Sequence, residues 1–199
     1  MNSTTEVATV TVWELKAGSA NDFAPLVFSS ERDAQSGMFD VSGAPLNWSK
    51  KPKVEVFFEP GAKNAKPQAD VSALTPGALA MNSKAKSALE PFLGEFGQFL
   101  EMDCGGETRW FYNVTNLVSC IDEASSTKRP SGSISKEAFF EGRVPTGAAV
   151  FKDPLTAPAS LYVTEGGKRR LEEVVAKARI TGLAFVEPGP SPKKPRPRA

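Results

Sequence analysis

Two adjacent glycines, Gly105 and Gly106, stand between two runs of alternating apolar residues, and they constrain this fold more than any other feature of the chain. The runs are Gln98 to Asp103 and Thr108 to Thr115. A Gly-Gly pair accepts the positive φ angles of a tight hairpin turn, so Cys104-Gly105-Gly106-Glu107 predicts two antiparallel strands. Within the second strand, Trp110, Tyr112 and Val114 share one face, and Arg109, Phe111 and Asn113 share the other. Upstream, Ala85, Ala88, Leu89, Phe92, Leu93 and Phe96 recur at helical spacing, with Ser83 placed to cap the start. Pro91 predicts a kink there, or a helix ending near Glu90. Downstream, Thr115 or Asn116 can cap a short helix with Leu117, Val118 and Ile121 facing inward.

The other elements are shorter. Val7 to Leu15 alternates β-branched residues and reads as a strand, and Phe23, Leu26 and Val27 suit one or two helical turns. Residues 29–52 show no period. Val54 to Phe58 is a strand stopped by Pro60-Gly61. Residues 123–137 read as an exposed loop, followed by short strands at Ala148 to Phe151 and Leu161 to Val163. Thr164 then caps a helix carrying Leu171, Val174, Val175 and Ala178, with Glu173 and Lys177 paired on its outer side. Gly182 suits its stop, and Leu183 to Val186 is the last strand. No internal repeat is visible. The expectation is a single α+β domain of short, mostly antiparallel strands with two or three short helices. Residues 1–78 form an N-terminal strand and irregular region packed on a core of 79–187. Residues 188–199, rich in Pro, Lys and Arg, read as a disordered basic tail.

With 199 residues, 40% hydrophobic and 24% charged, the chain is long enough for one sizeable core. No apolar run nears the roughly 20 residues that span a bilayer, so no membrane span is expected. The N-terminus has neither a basic flank nor an apolar block, and a cytoplasmic protein is expected. The net charge of +1 depends on Lys193, Lys194, Arg196 and Arg198. Without them, 20 basic residues face 23 acidic ones, which gives no sign of nucleic-acid binding. Cys104 and Cys120 make neither a disulfide framework nor a metal pattern, and Cys120 reads as a small core residue. The chain has no histidine, which excludes Ser-His-Asp and Cys-His catalysis and His-containing zinc sites. No cofactor, metal or catalytic set is expected.

Several anchors occur in order: Leu79-Ala80-Met81-Asn82-Ser83 with Ala88-Leu89, and Gly97-Gln98-Phe99-Leu100. Trp110-Phe111-Tyr112-Asn113-Val114-Thr115 with Asp122 comes next, then Ala149-Val150-Phe151, Leu161-Tyr162-Val163-Thr164 and Gly182-Leu183-Ala184-Phe185. Across roughly residues 70–187 this series resembles a bacterial immunity-protein family of polymorphic toxin systems, the eleventh in the usual numbering. The chain departs from the family pattern in lacking a proline near Leu100-Glu101-Met102 and in carrying Ser119 three residues before Asp122. The resemblance implies an antidote that silences a cognate protein toxin by binding and occlusion, the toxin arriving through a secretion system or by contact. It implies no catalytic residues.

Candidate partner-binding residues are Trp48, in a polar segment, and Asp103, Glu107 and Arg109 around the hairpin turn, joined by the nearby acids Glu95 and Glu101. The aromatic strand Trp110-Phe111-Tyr112 reads as core. Gly166-Gly167-Lys168 lacks phosphate-loop spacing. Two rival readings stay open: a carboxylate-dependent hydrolase or transferase, and an effector-loading adaptor.

Overall fold

A computed structural model describes residues 11–35, 37–61 and 64–188. The predicted strand residues Val7 to Val10, and the basic tail from Gly189 onward, lie outside them. The chain forms β1 (Val12–Ala17), β2 (Leu26–Phe28), α1 (Glu31–Gln35), β3 (Val54–Val56), β4 (Val71–Ser72), β5 (Leu79–Met81), α2 (Ser83–Leu93), β6 (Gly97–Cys104) and β7 (Glu107–Val114). There follow β8 (Thr127–Lys128), β9 (Ile134–Lys136), a 3₁₀ turn at Glu141–Arg143, β10 (Val150–Phe151), β11 (Tyr162–Thr164), α3 (Glu165–Ala178) and β12 (Leu183–Val186). Sheet I runs β10-β11-β1-β12 and sheet II runs β4-β5-β7-β6, antiparallel throughout. The fold is α+β, as the sequence predicts. Residues on both sides of position 78 share these sheets: β1 lies between β11 and β12, and β4 lies beside β5.

The two sheets are built alike. Each has a two-strand hairpin whose second strand runs into a helix, then a glycine and an edge strand. In each, the remaining inner strand comes from the other half of the chain: β7 in sheet II, β1 in sheet I. Aligned on the helix caps Asn82 and Thr164, Met81 pairs with Trp110 where Val163 pairs with Trp13. Likewise Phe99 pairs with Tyr112 where Phe185 pairs with Leu15. The same closing bonds recur, Asn82 N–H to Asp70 O at 2.9 Å and Thr164 N–H to Ala149 O at 3.1 Å. A cation stack recurs too. Lys86 Nζ lies 4.6 Å from the Trp110 ring and 6.0 Å from Phe99; Lys168 Nζ lies 4.7 Å from Trp13 and 5.6 Å from Phe185. Each lysine is held by a glutamate one turn on, Glu90 at 2.6 Å and Glu172 at 2.7 Å. The repeat escapes sequence inspection because equivalent positions share residue type at few places beyond these four.

The helix-bearing faces of both sheets enclose one core, where Leu15, Leu79, Met81, Leu89, Leu93, Tyr112, Val163 and Leu171 are buried. Fully burying such a side chain stabilises by roughly 1.5–3 kcal/mol. The outer face of sheet II is covered by the segment between β1 and β4, whose Leu26, Phe39, Val41 and Val54 pack on Ala80, Met102 and Phe111. The outer face of sheet I is covered by the segment between β7 and β10. Its Cys120, Ile121 and Val144 pack on Val12, Phe151 and Tyr162.

Several local expectations are corrected. Leu26–Phe28 is strand, not helix, because it pairs with Val54–Val56. The cap of α2 is Asn82, whose side chain accepts the Ala85 N–H at 2.9 Å, and the helix runs through Pro91 to Leu93. So near the C-terminal end, one missing donor costs little of the ladder. Residues 115–121 form no helix. The Val118 N–H bonds to Lys152 O, and the Cys120 and Ile121 N–H groups bond to Asp153, so tertiary acceptors replace helical ones; Leu117 is exposed. The 123–137 loop contains the β8–β9 hairpin. Helix α3 ends at Arg179 in the left-handed conformation, ahead of Gly182. On α3 the ion pairs formed are Glu165–Arg169 and Lys168–Glu172, in place of the expected Glu173–Lys177 pair.

Candidate functional site

The β6–β7 turn is held from within and from one side. Gly105 and Gly106 take φ of 63° and 91°, and Asp103 Oδ1 accepts the Gly106 N–H at 2.8 Å. The segment before β3 fastens the edge strand: the Asp103 N–H bonds to Pro52 O at 2.9 Å, and Lys51 pairs with Glu101. Further along, the Gln98 amide clasps Leu46 through both its N–H (2.6 Å) and C=O (2.9 Å), and buried Asn113 donates to Ala44 O at 2.9 Å. The clamped hairpin thus places Asp103 and Glu107 at a hollow of about 310 Å³ that is also lined by Lys51 and Thr108.

The four predicted partner-binding residues divide. Asp103 and Glu107 stand at the turn, Asp103 half-buried and Glu107 exposed. Arg109 is buried instead, 6% exposed, on the outer face of sheet II. Its Nη2 donates to Gln68 at 2.5 Å, Glu107 lies 3.9 Å away, and its Nε has no partner. Trp48 is no free anchor. It packs against Phe39 (5.0 Å) and Phe111 (5.5 Å) and donates to Met38 O at 2.7 Å, pinning its loop to its own sheet. Glu95 reaches toward Arg170 at 3.9 Å. The aromatic strand is core, with Phe111 and Tyr112 fully buried.

Other polar groups serve as fasteners. Buried Asp153 accepts three backbone N–H bonds, from Cys120 and Ile121 at 2.7 Å and from Leu155 at 2.9 Å. Its neighbour Lys152, fully buried, donates its ammonium to Val41 O of the first covering segment and to Ala157 O of the β10–β11 connection, while its backbone bonds to Asn116 and Val118 of the second covering segment. Burial pulls its pKa down to about 8, partly opposed by the Asp40 carboxylate. Tyr162 donates to Glu137 at 3.0 Å and meets Thr156 at 2.9 Å. Its phenol and that of Tyr112 are pushed upward by burial. Burial also raises both thiols. For Cys104 the Arg109 guanidinium works against it, and for Cys120 the nearby Asp153 adds to it, taking the pKa to about 12. Both stay protonated at neutral pH.

Sequence reasoning passed over Glu14, Gln98, Lys152 and Asp153. Strand alternation carried a signal for the first, since Val12, Glu14 and Lys16 must share one face. Lys152 and Asp153 interrupt an apolar run and so advertise buried polar partners. Among the described residues, no helix is long and apolar enough to cross a membrane, and no group of three or more His, Cys, Asp or Glu is placed to hold a metal ion. No family model matches the chain, and no characterised protein matches it.

Proposed function

We propose that this chain is an immunity protein that acts in the cytoplasm of its own cell, neutralising a cognate toxin by stoichiometric binding. The carrying observation is the β6–β7 turn, which presents the Asp103 and Glu107 carboxylates at the surface on strands clamped to neighbouring loops, with Glu101 beside them paired to Lys51. A preformed projection loses little entropy on docking. Its charge would speed capture of a basic cleft, such as a toxin surface that handles phosphate-rich substrate. The ordered residue series that resembles the immunity family supports the same reading. Covering such a cleft takes on the order of 800 Å² per partner.

Co-expression with the toxin encoded beside it tests the reading. The expected result is protection of the cell and co-purification at one to one. Absence of both protection and complex overturns it.

A further inference from the structure

The internal repeat supplies a control within the molecule. Glu14 and Lys16 of sheet I occupy the positions that Phe111 and Asn113 occupy in sheet II. In sheet II the outer-face pair is roofed: Phe39 and Trp48 cover Phe111, and Asn113 is tied to Ala44. In sheet I the covering segment reaches Val12 and Tyr162 but stops short. There Glu14 and Lys16 line a cavity of about 340 Å³, walled by Leu74, Pro76, Ala78 and Leu161. It lies where the β4–β5 and β10–β11 connections meet, the Gly77 Cα standing so close that an added Cβ would come within 2.9 Å of Ala157 O.

A charged pair here is no requirement of the architecture, because the sister position is a phenylalanine. Glu14 is nevertheless 5% exposed, a carboxylate in a largely apolar hollow whose ionic partner is Lys16 at 2.7 Å. The lysine is 40% exposed in its side chain and stands at the rim. The lysine stem lets the ammonium stay in water at the rim once another cation takes its place on the carboxylate. The buried carboxylate cannot follow it, and leaving it unpaired is expensive. An incoming cation with an apolar stem would replace Lys16 and fill the hollow at once. Pockets of ~300–1,000 Å³ with an apolar lining and a few placed polar groups are the usual form of small-ligand sites.

We propose that this seam cavity binds a compact organic cation, an alkylguanidinium or alkylammonium group, with its charge on Glu14 and its stem against Leu74, Pro76 and Leu161. This does not depend on the immunity reading. Titration of the labelled full chain with n-butylguanidinium, followed by amide NMR, tests it against butyramide as the neutral control. The guanidinium should shift the amides of residues 73–78 and 159–161 saturably, and butyramide should not. Glu14→Gln should raise the apparent Kd at least tenfold. Lys16→Met, which removes the competing ammonium and cannot unpair a buried charge when ligand is present, should lower it severalfold. A second arm uses the tripeptide acetyl-Ala-Arg-Ala-amide. Saturation at lower concentration than the free guanidinium assigns the site to an arginine of a protein partner, and the reverse assigns it to a free small molecule. Equal shifts with butyramide, a Glu14→Gln variant that binds like the parent, or a Lys16→Met variant that binds more weakly overturns the proposal.

Discussion

Leu26, Phe39, Val41, Val54 and Trp48 cover the outer face of sheet II, whereas in sheet I, built to the same plan, the covering segment among the described residues leaves Glu14 and Lys16 at a cavity. Phe111 and Glu14 sit at matching places in the two plans, one sealed under Phe39 and Trp48 and the other at a cavity. What the copies share is what the architecture demands: a capped helix, a lysine across Trp and Phe rings, and a glutamate one turn on. What they do not share is free to serve something else.

The sharpest way to break this comparison is to truncate the matched pair. Phe111→Ala should cost about 3–5 kcal/mol, the usual loss for a buried phenylalanine whose neighbours cannot collapse. Glu14→Ala, beside an existing hollow, should stay within about 1 kcal/mol. Urea unfolding measures both, and equal losses would mean that the two outer faces are alike in energy as well as in plan.

The two covering segments meet on Lys152, and its titration reports on that junction. Its folded pKa of about 8 lies below the unfolded 10.5, so between those values the unfolded chain holds a proton that the folded chain has lost. Stability attributable to this group therefore rises with pH across that window. The difference between the parent and Lys152→Met should grow by as much as about 3 kcal/mol from pH 8 to pH 10.5. A flat difference would place the ammonium in water.

At the foot of the helices the copies differ again, Asp70 in one standing where Ala149 stands in the other. Burial raises the Asp70 pKa, but hydrogen bonds from Asn82, Thr181 and Lys84 outweigh it and hold the carboxyl at about 2. The bonds stabilise the fold above the usual value of 3.8, and that contribution is lost as pH falls through 2. Asp70→Ala should cost about 2 kcal/mol at neutral pH and progressively less below pH 4, in acid unfolding curves. Smallest of all, Lys86→Met and Lys168→Met should each cost roughly 0.5–1 kcal/mol and match each other. A large inequality would show that only one of the stacks matters to the fold.

Much of the architecture was legible in the chain because local chemistry and tertiary packing agreed. Gly105-Gly106 announced its turn, the apolar spacing of α2 and α3 announced their buried faces, and Thr164 its cap. Reading failed where distant acceptors overrode local preference. The helix expected at 115–121 gave way because Asp153 and Lys152 supply its N–H groups with other partners. The repeat stayed hidden because equivalent positions share residue type at few places, and because each half gives its first strand to the other half's sheet, which chain order does not reveal. Of the four candidate partner residues, Glu107 is exposed and Asp103 half-buried at the turn. Trp48, half-buried too, packs on Phe39 and Phe111, and Arg109 is buried, since a polar neighbourhood in sequence says little about which loop lies overhead.

The proposed function has the chain block a toxin by occupying it, one molecule for one. It is tested most directly by titrating the purified product of an adjacent candidate toxin gene with increasing amounts of this protein and measuring the toxin activity that remains. The account predicts a straight decline that reaches baseline at one equivalent and does not change with longer incubation. Complete inactivation by a small fraction of an equivalent, deepening with time, would contradict it.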